Sequence, residues 1–133
     1  MTVDEDPASR TARVPYFGFL GLQPTADDAT WCLPGSARHV GDAARQSVHG
    51  GVLAAFLESS AALHLRAAAD RVTTVDFTSD FLREAVVADL FATVTVVRRG
   101  RRFANVRVDA WQSDRATLVA VGHGNFLLHG RRP

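Results

Sequence analysis

Gly50 and Glu58 are the two residues of this 133-residue chain best placed to act together on a carbonyl group. Both belong to the stretch HGGVLAAFLESSAALHL at residues 49–65, a His-Gly-Gly turn running on into an alanine-rich apolar helix. A carbonyl under attack gathers negative charge on its oxygen, and a backbone N–H at a helix N-terminus stabilises that charge. Gly50 suits this task because it has no Cβ to keep a ligand away from its amide. Glu58 can take a proton from water as a general base, or attack the carbonyl itself and form a mixed anhydride. The residue pattern leaves both roles open. His49 is a candidate acid/base partner whose other reading is to fix the turn, and Gly51 is a candidate substrate contact.

The spacing sets a constraint. Eight helical residues advance about 12 Å, so Gly50 and Glu58 of one chain cannot both touch one carbonyl. Two such helices running antiparallel across a twofold axis bring Gly50 of one close to Glu58 of the other. The expectation is a homodimer with two sites at its interface.

The helix must be held by the rest of the chain. Its apolar residues, among them Val52, Leu53, Phe56, Leu57, Leu63 and Leu65, do not keep to one stripe, which predicts a buried helix over residues 50–69. After Asp70 the period changes to two: Val75, Phe77 and Phe81 share one strand face, and Thr74, Asp76, Thr78 and Asp80 the other. Further strands are expected at 90–97, around 104–110 (Ala104, Val106, Val108 and Ala110 inward) and at 117–128, joined by hairpin turns. Upstream, residues 16–22 form a helical turn, Thr30, Trp31, Cys32 and Leu33 end a first strand, and 36–48 is a loop. Short turns between consecutive strands make the sheet antiparallel, and wrapping it around the single helix gives an α+β domain. That domain is placed at residues 15–129, after a disordered lead at 1–14 and before a tail at 130–133.

Composition narrows the function classes. Lys+Arg 15 against Asp+Glu 14 leaves a net charge of +1, which argues against a general nucleic-acid binder. A single cysteine, Cys32, excludes an internal disulfide and a multi-cysteine metal site. Asp76 and Asp80 read as exposed strand carboxylates, and no metal is expected. No run approaches the ~20 apolar residues of a membrane span, and the acidic start is no secretory signal. A cytoplasmic protein without membrane or nucleic-acid partners is expected.

Three motifs in this order resemble the hotdog-fold acyl-CoA thioesterases, particularly the phenylacetate-pathway (PaaI-like) and 4-hydroxybenzoyl-CoA branch. They are His49-Gly50-Gly51 followed by Glu58, then VDFTSDFLREA at 75–85, then VVRRGRR at 96–102. The resemblance covers residues 15–128. It implies an antiparallel sheet around one central helix, thioester hydrolysis by Glu58 with the Gly50 N–H as oxyanion donor, and a homodimer or a dimer-of-dimers tetramer. It implies no cofactor beyond the coenzyme A of the substrate. Coenzyme A phosphates suit the planar fork of arginine, which makes Arg83, Arg98, Arg99, Arg101 and Arg102 candidate contacts. The chain departs from the family at four places. Ala43 stands where Asn is usual, Gln46 where Gly is usual, Glu84 where Pro is usual, and Ala62 where some relatives carry Thr or Ser. Gln46, Ser59 and Ser60 are candidates to replace the missing polar groups. The same departures support a second reading, a non-catalytic acyl-CoA-binding or regulatory protein, against which the retained Glu58 counts.

Overall fold

Proline sets the two N-terminal helices, α1 (Pro7–Ala12) and α2 (Pro15–Leu20): its fixed φ suits the first helical position, where its missing N–H costs no bond. The computed structural model describes residues 6–131. In its described part the expected disordered lead is therefore a helix, while residues 1–5 lie outside the described residues. Gly21, at φ 91°, ends α2 in the left-handed conformation. Next come strands β1 (Gln23–Pro24) and β2 (Thr30–Leu33), a 3-10 turn (Ala37–His39), and a small ribbon of β3 (Val40–Asp42) and β4 (Ser47–Val48). Residues 36–48, expected as a loop, thus contain pairing too short to leave a period in the sequence. The central helix α3 (Gly50–Leu65) follows, and then β5 (Ala69–Phe81), β6 (Leu90–Arg99), β7 (Phe103–Trp111) and β8 (Ala120–Arg131). The last strand runs into the segment expected as a tail.

The main sheet has the order β1-β2-β6-β7-β8-β5, with every neighbouring pair antiparallel, and it curls around α3. As expected, Ala104, Val106, Val108 and Ala110 of β7 face the helix, each fully buried. They meet Phe56, Leu57, Ala61 and Leu63 of α3, and each large apolar side chain taken out of water there contributes roughly 1.5–3 kcal/mol. Gly122 and Gly124 of β8 leave a hollow for Phe77. A Cβ at Gly122 would stand 2.5 Å from the Phe77 ring.

Strand β5 does not keep the expected phase. Its register with β8 shifts between Thr74 and Asp76, so one extra residue, Val75, bulges out and is 54% exposed. The bulge reverses the alternation: Val72 and Thr74 share the inner face with Phe77, which pairs with Gly124, instead of opposing it. Strand β5 is also an outer strand of the sheet, paired with β8 on one side.

Helix α3 is buried on most of its circumference, and it ends at Leu65 rather than at 69 because Ala69 is fully buried as the first residue of β5. A stripe of Gly51, Ala55, Glu58 and Ala62, at successive helical intervals, is exposed or half-buried, as are Gly50, Val52, Ala54 and His64 outside it. The C-terminal end is held by Arg10 of α1. Its buried guanidinium donates to the Leu63 carbonyl at 3.0 Å and lies over the Trp31 ring, 5.7 Å from its centre. A cation there also complements the helix dipole. His64 sits in the same corner. Burial pushes its imidazole below the ordinary value, and Arg10 adds to that, while a hydrogen bond to the Asp28 backbone and the charges of Asp27 and Asp28 act the other way. The folded chain therefore binds this proton less readily than the unfolded chain. Stability from this residue is complete above the ordinary imidazole value of 6.5 and declines as pH falls through it. Melting temperature recorded from pH 8 to pH 5 is expected to fall more steeply for the native chain than for His64→Gln; parallel curves would dissociate His64 from the acid sensitivity.

Candidate active site

The ribbon and the 3-10 turn position the start of α3. The His49 N–H donates to the His39 carbonyl at 2.8 Å, and Gly41 lets the two segments approach, since a Cβ there would lie 2.8 Å from the His49 Cα. His49 is the N-cap of α3: its Nδ1 accepts the Gly51 N–H at 2.9 Å, and its carbonyl accepts from Val52 and Leu53. An acceptor Nδ1 places the proton of the neutral ring on Nε2. The Gly51 amide is thus committed to the cap, and the Gly50 amide alone of the first helical N–H groups makes no hydrogen bond among the described residues. It opens on a cleft of about 280 Å³ walled by Val48, Phe81, Leu82 and Arg83. A Cβ on Gly50 would stand 3.4 Å from the Phe81 ring.

Glu58 lies on a different cleft, of about 350 Å³, with Ser59 and Ala62 of α3, Val72 and Thr74 of β5, and Tyr16 and Phe17 of α2. Its carboxylate is half-buried, and Oε1 accepts a hydrogen bond from the Thr74 hydroxyl at 2.8 Å. That bond fixes the carboxylate rotamer and leaves Oε2 to face a water or a carbonyl. Thr74 is the site residue that the alternation pattern had turned to the wrong face. Ala62 leaves open the space one turn beyond Glu58. Ser59 is buried on the wall of the same cleft, whereas Ser60 is taken up by the Phe56 carbonyl at 2.7 Å.

The remaining candidates separate. Gln46 occupies the left-handed region at φ 53° and donates to the Ala43 carbonyl at 2.8 Å, bracing its own turn. Glycine adopts that conformation without strain, which accounts for the glycine usual there. Arg83 lines the Gly50 cleft and is steadied by an Nε bond to the Leu118 carbonyl at 3.0 Å. The hairpin arginines do not act as one cluster. Arg98 pairs with Asn105 and Arg99 with Ala104, so they project from opposite faces of the sheet. Arg101 and Arg102 border a third, open cleft of about 570 Å³ with His129. Asp76 is engaged by the Asn125 amide at 2.9 Å.

One chain therefore presents an unengaged helix-start amide and a held carboxylate in separate clefts on the same helix. Each is half of what carbonyl chemistry requires. A sequence model of the thioesterase superfamily matches residues 46–119, which include both. Among solved structures, a protein of Chromobacterium violaceum is 31% identical, with a TM-score of 0.72 over 91% of this chain and 88% of its own. A candidate esterase of Mycobacterium tuberculosis is 29% identical, with a TM-score of 0.76 over 90% and 100%. A phenylacetic acid degradation-related protein of Ralstonia eutropha JMP134, at 24% identity and TM-score 0.74 over 92% and 100%, shares the fold. No curated protein matches the chain. With the antiparallel sheet curled around α3 and more than half of the sequence matched, this chain is a hotdog-fold member of the thioesterase superfamily.

Proposed function

We propose that the protein hydrolyses an acyl-coenzyme A thioester to the free acid and coenzyme A, in sites shared between two copies of the chain. The observation that carries this reading is the Glu58 carboxylate, the sole acidic side chain of the central helix, held by Thr74 at 2.8 Å on an open stripe of that helix. Glu58 either withdraws a proton from the attacking water or attacks the carbonyl and forms an anhydride that water then opens. The Gly50 amide of the second copy receives the charge that builds on the carbonyl oxygen. As the C–S bond breaks, the sulfur leaves with the bonding electrons and is protonated. Neither step calls for a metal or a further cofactor.

The pairing of copies rests on β5 and α3. Strand β5 is 13 residues long and leaves one edge without a partner among the described residues, and such an edge is a ready surface for another strand. The open stripe of α3 borders the same cleft as Val72 and Thr74 of β5. A twofold axis across that edge joins the sheets and lays the two α3 helices side by side with opposite directions. A tetramer then forms from two such dimers. Arg83 beside Gly50 and the Arg101–Arg102 cleft are the places suited to coenzyme A phosphates. A substrate of this kind supports a cytoplasmic location.

Thiol release from a panel of aliphatic and aromatic acyl-CoA esters, alongside the same acyl groups on a carrier protein, tests this reading. Turnover of CoA esters is expected. Silence on every CoA ester with turnover on the carrier would move the substrate to carrier-bound thioesters. Binding without turnover on either would make the protein a non-catalytic acyl-CoA binder.

A further inference from the structure

The cleft around Glu58 has two unlike sides. Apart from the Tyr16 hydroxyl, its side-chain hydrogen-bonding groups, Glu58, Ser59, Arg66 and Thr74, lie on α3, at its end and on β5, whereas α2 offers the Phe17 side chain and the Tyr16 ring, with Val14 ahead of them. The reacting carbonyl must lie on the polar side, within reach of Glu58. The thiol arm of coenzyme A carries amides that would lose hydrogen bonds against an apolar wall, while a hydrocarbon chain gains by covering one. Phe17 is 6% exposed and forms a fixed backing. Tyr16 is 49% exposed at the rim, its ring stacked on Phe19 with centroids 6.2 Å apart. Ala55 and Ala62, on either side of Glu58, keep the way from the carboxylate to this wall clear.

On the reading that Glu58 attacks or activates water, we infer that α2 is the acyl-selecting wall of the enzyme, with Tyr16 as its specificity-determining residue and apolar acyl chains as its ligands. The acyl chain leaves the carbonyl toward α2, and the thiol arm leaves away from it. The N-terminal helices thereby do more than cover the core, because α1, fastened through Arg10 to the end of α3, holds the wall in place.

Calorimetric titration of the full-length protein with coenzyme A and with S-hexyl-coenzyme A, a thioether that cannot be hydrolysed, tests the assignment without depending on turnover. The native protein is expected to bind the hexyl thioether about tenfold more tightly than coenzyme A. Tyr16→Ala should remove most of that advantage and leave affinity for coenzyme A unchanged, and Tyr16→Phe should keep it. Loss of affinity for both ligands alike would assign Tyr16 to the coenzyme. No change in either, or no hexyl advantage in the native protein, would overturn the wall. A Glu58 variant that still hydrolyses thioesters would sink the catalytic reading and leave these affinities standing.

Discussion

Glu58→Gln is expected to lower kcat for thioester hydrolysis by about a thousandfold while the protein remains folded. The amide has the size of the carboxylate and can still accept the Thr74 hydroxyl through its oxygen, so the packing at α3 and β5 is kept. It can neither take up a proton nor attack a carbonyl. The two possible roles of Glu58 therefore fail together, and the loss should fall on kcat with KM little changed. Thr74→Val is the companion variant. It removes one hydrogen bond to a charged group, worth about 1.5–3 kcal/mol, which corresponds to roughly ten- to a hundredfold in rate if the bond matters fully in the transition state. In the Glu58→Gln background the same change should add little, because Thr74 acts through the carboxylate. Steady-state thiol release together with far-UV circular dichroism measures all of this. Full activity in a folded Glu58→Gln protein would dismiss the mechanism.

Mixing two inactive variants is expected to restore activity. Glu58→Gln lacks the carboxylate. Gly50→Val crowds the helix start with a branched side chain against the Phe81 ring, which a Cβ there already meets at 3.4 Å. Each homodimer has two defective sites. In a mixed dimer one site combines both defects, and the other combines an intact Glu58 with an intact Gly50. Equal amounts, dissociated and reassociated, give half mixed dimers, so about a quarter of the native activity should return. If Gly50 and Glu58 of the same chain served one site, nothing would return at any ratio. The experiment thus reads the assembly through the chemistry, with size-exclusion chromatography confirming that subunits have exchanged.

Much of this arrangement can be read from residues alone, for identifiable reasons. The β7 alternation survives intact in the structure because its ladder with β8 is unbroken from Ala104 to Ala110 and the register shift with β6 puts the extra residue, Val97, on β6. The start of α3 is marked by His49-Gly50-Gly51, and its burial follows from side chains that are apolar nearly all round. The end of α3 is not legible: residues 67–69 are alanines, good helix formers, and the sheet claims Ala69 because its methyl group fills the core. Helix α1 is invisible to periodicity because one buried arginine, not an apolar stripe, ties it down. The ribbon at 40–48 pairs too few residues to show a period. Thr74 was missed for a sharper reason. Strict alternation puts it with Asp76 and Thr78 on the outer face, and the register shift after it turns it inward to Glu58.

That shift gives this part of the chain a residue it can spare. Val75 touches little, and exchanging it for another side chain should pass almost unnoticed. Losing the position altogether would close the ladder with β8, keep Thr74 and Asp76 opposite the consecutive Phe126 and Asn125, and leave the Thr74 hydroxyl facing Glu58. Point changes and a one-residue deletion are therefore both absorbed at this position. A lineage in which this strand is one residue shorter could therefore keep the same threonine as the partner of its carboxylate.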